Sequence, residues 1–135
     1  MVEVLNTPNF KTLPNVWLGT TVENHKVIDR IDFLRFTPAK IRFISFEPLI
    51  GSVGDIDLSY IDWAIVGGES GHKARPMKVE WIDEIHEKCI KSGTAFFFKQ
   101  WGSWGADNKK RSKKSNGRLY KQQHWDEMPI QFGVV

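Results

Sequence analysis

The chain has a single cysteine, Cys89, in 135 residues. It can form no internal disulfide, and one thiol cannot hold an iron–sulfur cluster. A reducing, cytoplasmic setting is the expectation from that usage. No apolar run approaches the roughly 18 residues needed to cross a bilayer. The opening MVEVLNTPNF lacks a basic stretch followed by an apolar one, so no signal peptide is expected. The histidines His25, His72, His86 and His124 show no metal-ligand spacing; each reads as a surface residue, and no metal site is expected. Also missing are the Lys-Ser or Lys-Thr of a Walker loop and the glycine spacing of a dinucleotide fingerprint.

Acid is absent from one stretch. Between Lys109 and Lys121 lie seven basic residues and no Asp or Glu. The whole chain has 19 basic and 16 acidic residues, so removing those seven leaves 12 against 16, a balance of −4. The body is mildly acidic and the positive net charge comes from one segment, which weakens any inference of a nucleic-acid-binding face over the whole protein.

What is present describes one domain, 41% hydrophobic and 13% aromatic, large enough to bury a core. Four short apolar runs recur: Val16–Val22, Ile41–Phe46, Trp63–Gly67 and Thr94–Phe98. They are rich in β-branched and aromatic residues and end at Gly, Pro or charge, as buried strands do. Their spacing is too long for hairpins and suits parallel strands joined by crossovers. Asn24 is placed to cap a helix with the stripe Val27, Ile28, Ile31 and Leu34, ending before Pro38. Val79–Ser92 predicts a second helix, with Ile82, Ile85 and Cys89 on its buried face and Gly93 as C-terminal cap. Residues 50–61 read as a loop with at most one turn near Leu58-Ser59-Tyr60. The pattern predicts an α/β fold with a parallel sheet. Gly102 to Gly117 reads as a mobile basic loop, followed by a cluster of Trp125, Met128, Ile130 and Phe132 that would dock the tail on the body.

Parallel α/β sheets bind ligands beyond the C-terminal ends of their strands. Here those ends carry Glu23, Glu47, Glu69 and Lys99, which predicts a polar rim. Period-two alternation puts Gly19, Thr21 and Glu23 on one face, with Ser45 and Glu47, Gly67 and Glu69, and Phe97 and Lys99. That face is smaller and more polar than the one carrying Leu18, Val22, Ile44 and Phe46, the organisation of a β/α barrel. Glu47, Glu69 and Lys99 are the candidate catalytic residues. Lys99 could form a Schiff base if desolvated or simply pair with a Glu. Gly67, Gly68, Glu69, Ser70 and Arg75 are the candidate cofactor-binding residues. The glycines either admit a ligand to the backbone or make a tight turn; Arg75 either meets a carboxylate or phosphate or pairs with Glu69.

Several blocks, in order, carry a resemblance. Leu13-Pro14-Asn15-Val16-Trp17-Leu18-Gly19-Thr20, Arg42-Phe43-Ile44-Ser45-Phe46-Glu47-Pro48-Leu49, Ile61-Asp62-Trp63-Ala64-Ile65-Val66-Gly67-Gly68-Glu69-Ser70-Gly71 and Phe96-Phe97-Phe98-Lys99-Gln100-Trp101-Gly102 resemble the phage gene-product thirty-seven/sixty-eight family. Gly117-Arg118-Leu119 and Trp125-Asp126-Glu127-Met128-Pro129 are similar to its ending. Members are longer, phage- or prophage-associated and of unproven activity, and they resemble radical S-adenosylmethionine enzymes, a β/α barrel with a cysteine cluster in the N-terminal half. The resemblance implies that this chain begins after that cluster. Residues 1–102 would then be the parallel four-stranded half of a TIM-like barrel, and 103–135 a basic loop and docking tail. It implies no catalytic activity alone and no cofactor within this chain. S-adenosylmethionine and an iron–sulfur cluster would enter only with a cysteine-bearing N-terminal half. The partner would be that half or a second copy. Gly67-Gly68-Glu69 is similar to the stretch that receives the methionine amine in such enzymes, but it falls at a late strand. Two other functions stay open: a carboxylate-based barrel enzyme of glycosidase or lyase type using Glu47 and Glu69, and a nucleic-acid-binding module built on the basic loop.

Overall fold

Trp17–Thr21 (β1), Ile41–Phe46 (β2), Trp63–Gly67 (β3) and Ala95–Gln100 (β4) are the strands of the computed structural model, which describes residues 16–129. They form one sheet in the order β1-β2-β3-β4, every neighbouring pair parallel. The expected α/β fold with a parallel sheet is what the chain adopts. Leu13, Pro14 and Asn15 of the first resembling block, and Ile130 and Phe132 of the expected tail cluster, lie outside the described residues.

The crossovers follow the local chemistry. The Asn24 side chain accepts the Lys26 N–H at 2.9 Å and opens a 3₁₀ turn, His25–Val27, that runs into α1, Asp29–Arg35. Ile31 and Leu34 are buried on its inner side. The Arg42 guanidinium finishes the helix by donating to the carbonyls of Leu34 and Thr37. Helix α2, Val79–Ser92, spans the predicted residues and stops at Gly93, whose left-handed φ of 70° suits a residue without Cβ. Residues 50–61 form no helix. Val53, Ile56, Leu58 and Ile61 are nevertheless buried, so this link packs apolar side chains under the sheet. Ser52 ties it to α2 through both carboxylate oxygens of Glu84 at 2.8 Å.

The helices and this link cover one face. Ile44, Phe46, Ala64, Val66, Phe96 and Phe98 point into it and are buried. The other face carries Trp17, Phe43, Trp63 and Phe97, all half-buried. Trp63 is at their centre, 6.1 Å from Trp17, 6.2 Å from Phe43 and 6.0 Å from Phe97, ring to ring. Gly19 makes room for one of them: a Cβ there would sit 2.3 Å from the Phe43 ring.

Two expectations are corrected, one in the segment beyond β4 and one in α2. The segment after Gly102, read as a loose loop from its polar composition, is fastened to the body. Its short helix α3, Lys113–Asn116, is capped by Ser112, and Asn116 Nδ2 donates to the Gly102 carbonyl at 2.8 Å. Trp101 Nε1 donates to the Leu119 carbonyl at 2.7 Å, and Tyr120 enters the core. His86, read as a surface residue, is buried. Its ring stacks on Phe96 at 4.4 Å and meets Trp125 edge-on at 4.4 Å. Position 86 flanks the Ile82–Ile85–Cys89 stripe, and it is the returning tail that covers it. Among the described residues, no helix is long and apolar enough to cross a membrane.

Candidate functional site

The strand ends do gather charged side chains, but in separate pairs. The Lys99 ammonium donates to Glu47 Oε1 at 3.2 Å, and Gln100 Nε2 donates to Glu47 Oε2 at 3.2 Å. Glu47 directly follows β2, ahead of a cis peptide to Pro48, and leans over β3. Gly67 gives it that space, since a Cβ there would lie 2.8 Å from Glu47 Oε2. Glu23 pairs with Arg30 at 3.7 Å, across the first crossover.

Glu69 is engaged otherwise. One of its oxygens accepts from the Arg75 backbone N–H at 2.9 Å and Arg75 Nε at 3.0 Å, the other from Arg75 Nη2 at 2.9 Å. These bonds hold its carboxyl well below the usual range, at about 2. Arg75 therefore takes the second of its two expected roles and pairs with Glu69. Glu47 and Glu69, the two carboxylates of the glycosidase or lyase reading, each have their own cationic partner. Ser70 is exposed on the same turn.

The glycine turn is decided by packing. A Cβ on Gly68 would lie 1.9 Å from the Trp101 carbonyl oxygen. Its N–H donates to the Gln100 carbonyl at 3.0 Å, and Ser103 N–H donates to the Glu69 carbonyl at 3.0 Å. Gly102, with φ of 88°, approaches the Glu69 carbonyl from the other side. The turns leaving β3 and β4 thus interlock, and the backbone that comes close to Gly68 belongs to the protein itself.

Lys99 and Glu47 form the upper end of a groove of about 510 Å3 on the half-buried face. Below them lie Ser45 and Ile65, then Phe43, Trp63 and Phe97. Arg118 closes one side, 5.6 Å over the Phe97 ring, donating from Nε to the Lys99 carbonyl at 3.0 Å and paired with Asp126. Sequence reasoning missed Arg118 and Gln100. Arg118 was one cation among seven in its segment, and only its contact back to β4 singles it out. Gln100 was two residues past the expected strand run, Thr94–Phe98.

A larger recess of about 690 Å3 lies on the opposite side, between α2, β4 and the tail. His86 and Cys89 line it. Burial pushes the Cys89 thiol up to about 12, so it stays protonated and unreactive near neutrality. Among the described residues, no three His, Cys, Asp or Glu side chains come together as a metal site. With its one thiol protonated in the core, this donor set does not fit an iron–sulfur cluster.

Residues 1–129 match the model of a family described as a protein of unknown function, DUF5131. The chain belongs to that family. No curated protein and no solved structure matches this DUF5131 member. What it can do is therefore argued from its rim and groove. A carboxylate, an amine and a guanidinium over an aromatic floor can hold a polar group by hydrogen bonds while apolar walls exclude water.

Proposed function

We propose that this chain is the C-terminal half of a phage-associated β/α barrel similar to radical S-adenosylmethionine enzymes, and that it works in the reducing cytoplasm. It has no catalytic activity alone. Its contribution is the substrate-facing wall: Glu47, Lys99 and Arg118 bind and orient a polar group above the aromatic floor, with Gln100 positioning Glu47. Any redox cluster belongs to the other half, because the residues here cannot hold one.

One observation supports this reading above the rest, the grading of the sheet face that the helices leave uncovered. From the N-terminal to the C-terminal ends of the strands it passes from Trp17, Phe43, Trp63 and Phe97 to Ser45, then to Glu47 and Lys99. A barrel interior has this order, side chains filling the floor and chemistry at the C-terminal mouth. A surface sheet face has no reason to spend four large rings. The rings are half-buried already, so each has part of the about 1.5–3 kcal/mol of full burial still to gain, and together they favour covering this face with a second half.

The test is association with a cysteine-bearing N-terminal half from a longer relative. Calorimetric titration should give a one-to-one complex, and Trp63→Asp should abolish it while the circular dichroism of the chain is retained. No complex, or a complex indifferent to Trp63→Asp and to Phe97→Asp, contradicts the proposal.

A further inference from the structure

The C-terminal rim carries a positive surface that the groove does not use. The turn after β3 and the segment after β4 are stitched together. The Gly71 N–H donates to Ser103 Oγ at 2.9 Å, Trp104 Nε1 to the Ala74 carbonyl at 2.9 Å, and Lys110 Nζ to the His72 carbonyl at 2.6 Å. Helix α3 is tied to the start of the segment after β4 through Asn116 and the Gly102 carbonyl. Lys73 is thereby carried beside Lys109 and Lys110, with Lys113 and Lys114 on the adjoining helix.

Lys73, Lys109, Lys113 and Lys114 are exposed, and none has an ion pair among the described residues. The acids of these two segments are already taken, Glu69 by Arg75 and Asp107 by Arg111. The rest of the chain is acidic, so the charge is concentrated here rather than spread. No large apolar side chain is exposed between 70 and 75 or between 102 and 117. Protein interfaces are anchored by such side chains. Unpaired lysines on an anchored backbone, with no apolar anchor and no long helix to enter a groove, suit a chain of regularly spaced phosphates.

We propose that this rim binds the phosphodiester backbone of a nucleic acid without reading its sequence, bringing the strand across the mouth of the groove. The inference rests on the charge distribution and stands whether or not the chain is half of a barrel.

The experiment is fluorescence anisotropy of a labelled oligonucleotide, as single strand and as duplex, across a salt series. With four phosphate contacts, affinity should fall roughly a hundredfold for the duplex and about fiftyfold for the single strand between about 50 and 200 mM salt. Two charge-matched variants, both checked by thermal melting, locate the surface. K113E/K114E should weaken binding by about tenfold or more and flatten the duplex salt slope by roughly 1.8. K40E/K91E, at the opposite ends of the strands, should stay within about twofold of the parent. Equal loss in the two variants, or no binding at about 50 mM salt, overturns the proposal. Displacement of the oligonucleotide by poly-glutamate at matched charge also overturns it, pointing instead to an acidic protein partner.

Discussion

Glu127 grips both sides of the Phe96 peptide. Its carboxylate accepts the Phe96 N–H at 2.9 Å, and its own N–H donates to the Phe96 carbonyl at 3.2 Å. One step along, Phe98 N–H donates to the Trp125 carbonyl at 2.8 Å. The tail covers this stretch of the β4 edge with an antiparallel bridge between Phe97 and Asp126. A second half-barrel cannot pair with β4 there while the tail stays in place. It must join along β1 or lie across the groove face.

That edge depends on one carboxylate. Glu127→Ala should cost about 1–2 kcal/mol in urea unfolding, because it leaves a part-buried N–H without a partner. Glu127→Gln, which keeps an acceptor oxygen, should recover most of the loss. Equal stability of Glu127→Ala and the parent would show that the edge bond is idle.

Two neighbouring glycines should respond differently to the same added methyl. Gly68→Ala drives a Cβ against the Trp101 backbone carbonyl and should cost about 3 kcal/mol or more. Gly67→Ala meets only the movable end of Glu47 and should cost about 1 kcal/mol at most. Thermal melts of the two variants decide; similar melting temperatures would contradict the interlocked turns.

The fold was far more legible than the site. Apolar runs, Asn24 and Gly93 locate strands, helices and caps because those signals are local and repeat with the element's own period. Burial of His86 was hidden because its cover, Trp125 and Tyr120, comes from more than thirty residues downstream. The rim was half legible. The four charged strand ends were visible, but which acid meets which base is set by side-chain reach across strands, which no spacing encodes. The turn at Gly67-Gly68 stayed ambiguous in the sequence because close approach by a ligand and by Trp101 ask for the same residue.

Arg75→Ala should release Glu69. Its titration midpoint, followed by carboxyl NMR, should rise from about 2 toward the ordinary 4.5. A carboxyl held low in the fold stabilises it above the unfolded pKa and ceases to as pH falls through the folded value. The parent should therefore lose this contribution between about pH 4.5 and 2, and the variant should keep only the part due to the backbone N–H of residue 75. An unchanged midpoint in Arg75→Ala would show that Arg75 is not the cause.

His86 gives the opposite kind of group, a base. Its Nδ1 is buried without a hydrogen-bond partner among the described residues, and burial holds its pKa below 6.5. Lys121 adds to the depression, while Glu127, Asp83 and Glu87 oppose it. The unfolded chain thus takes up a proton before the folded one does, and stability should decline as pH drops below about 6.5. His86→Phe keeps the stack on Phe96 and should remove that decline from a series of denaturant melts. Persistence of the same slope in His86→Phe would assign it to another group.

The most direct test of the half-barrel is sedimentation equilibrium of the chain alone at micromolar concentration. With Trp63, Phe43 and Phe97 on an unfinished barrel wall, the chain should associate to at least twice its 15.6 kDa, and Trp63→Asp should return it to monomer. A clean 15.6 kDa monomer at every concentration, which stays soluble when the tail beyond His124 is removed, would contradict it.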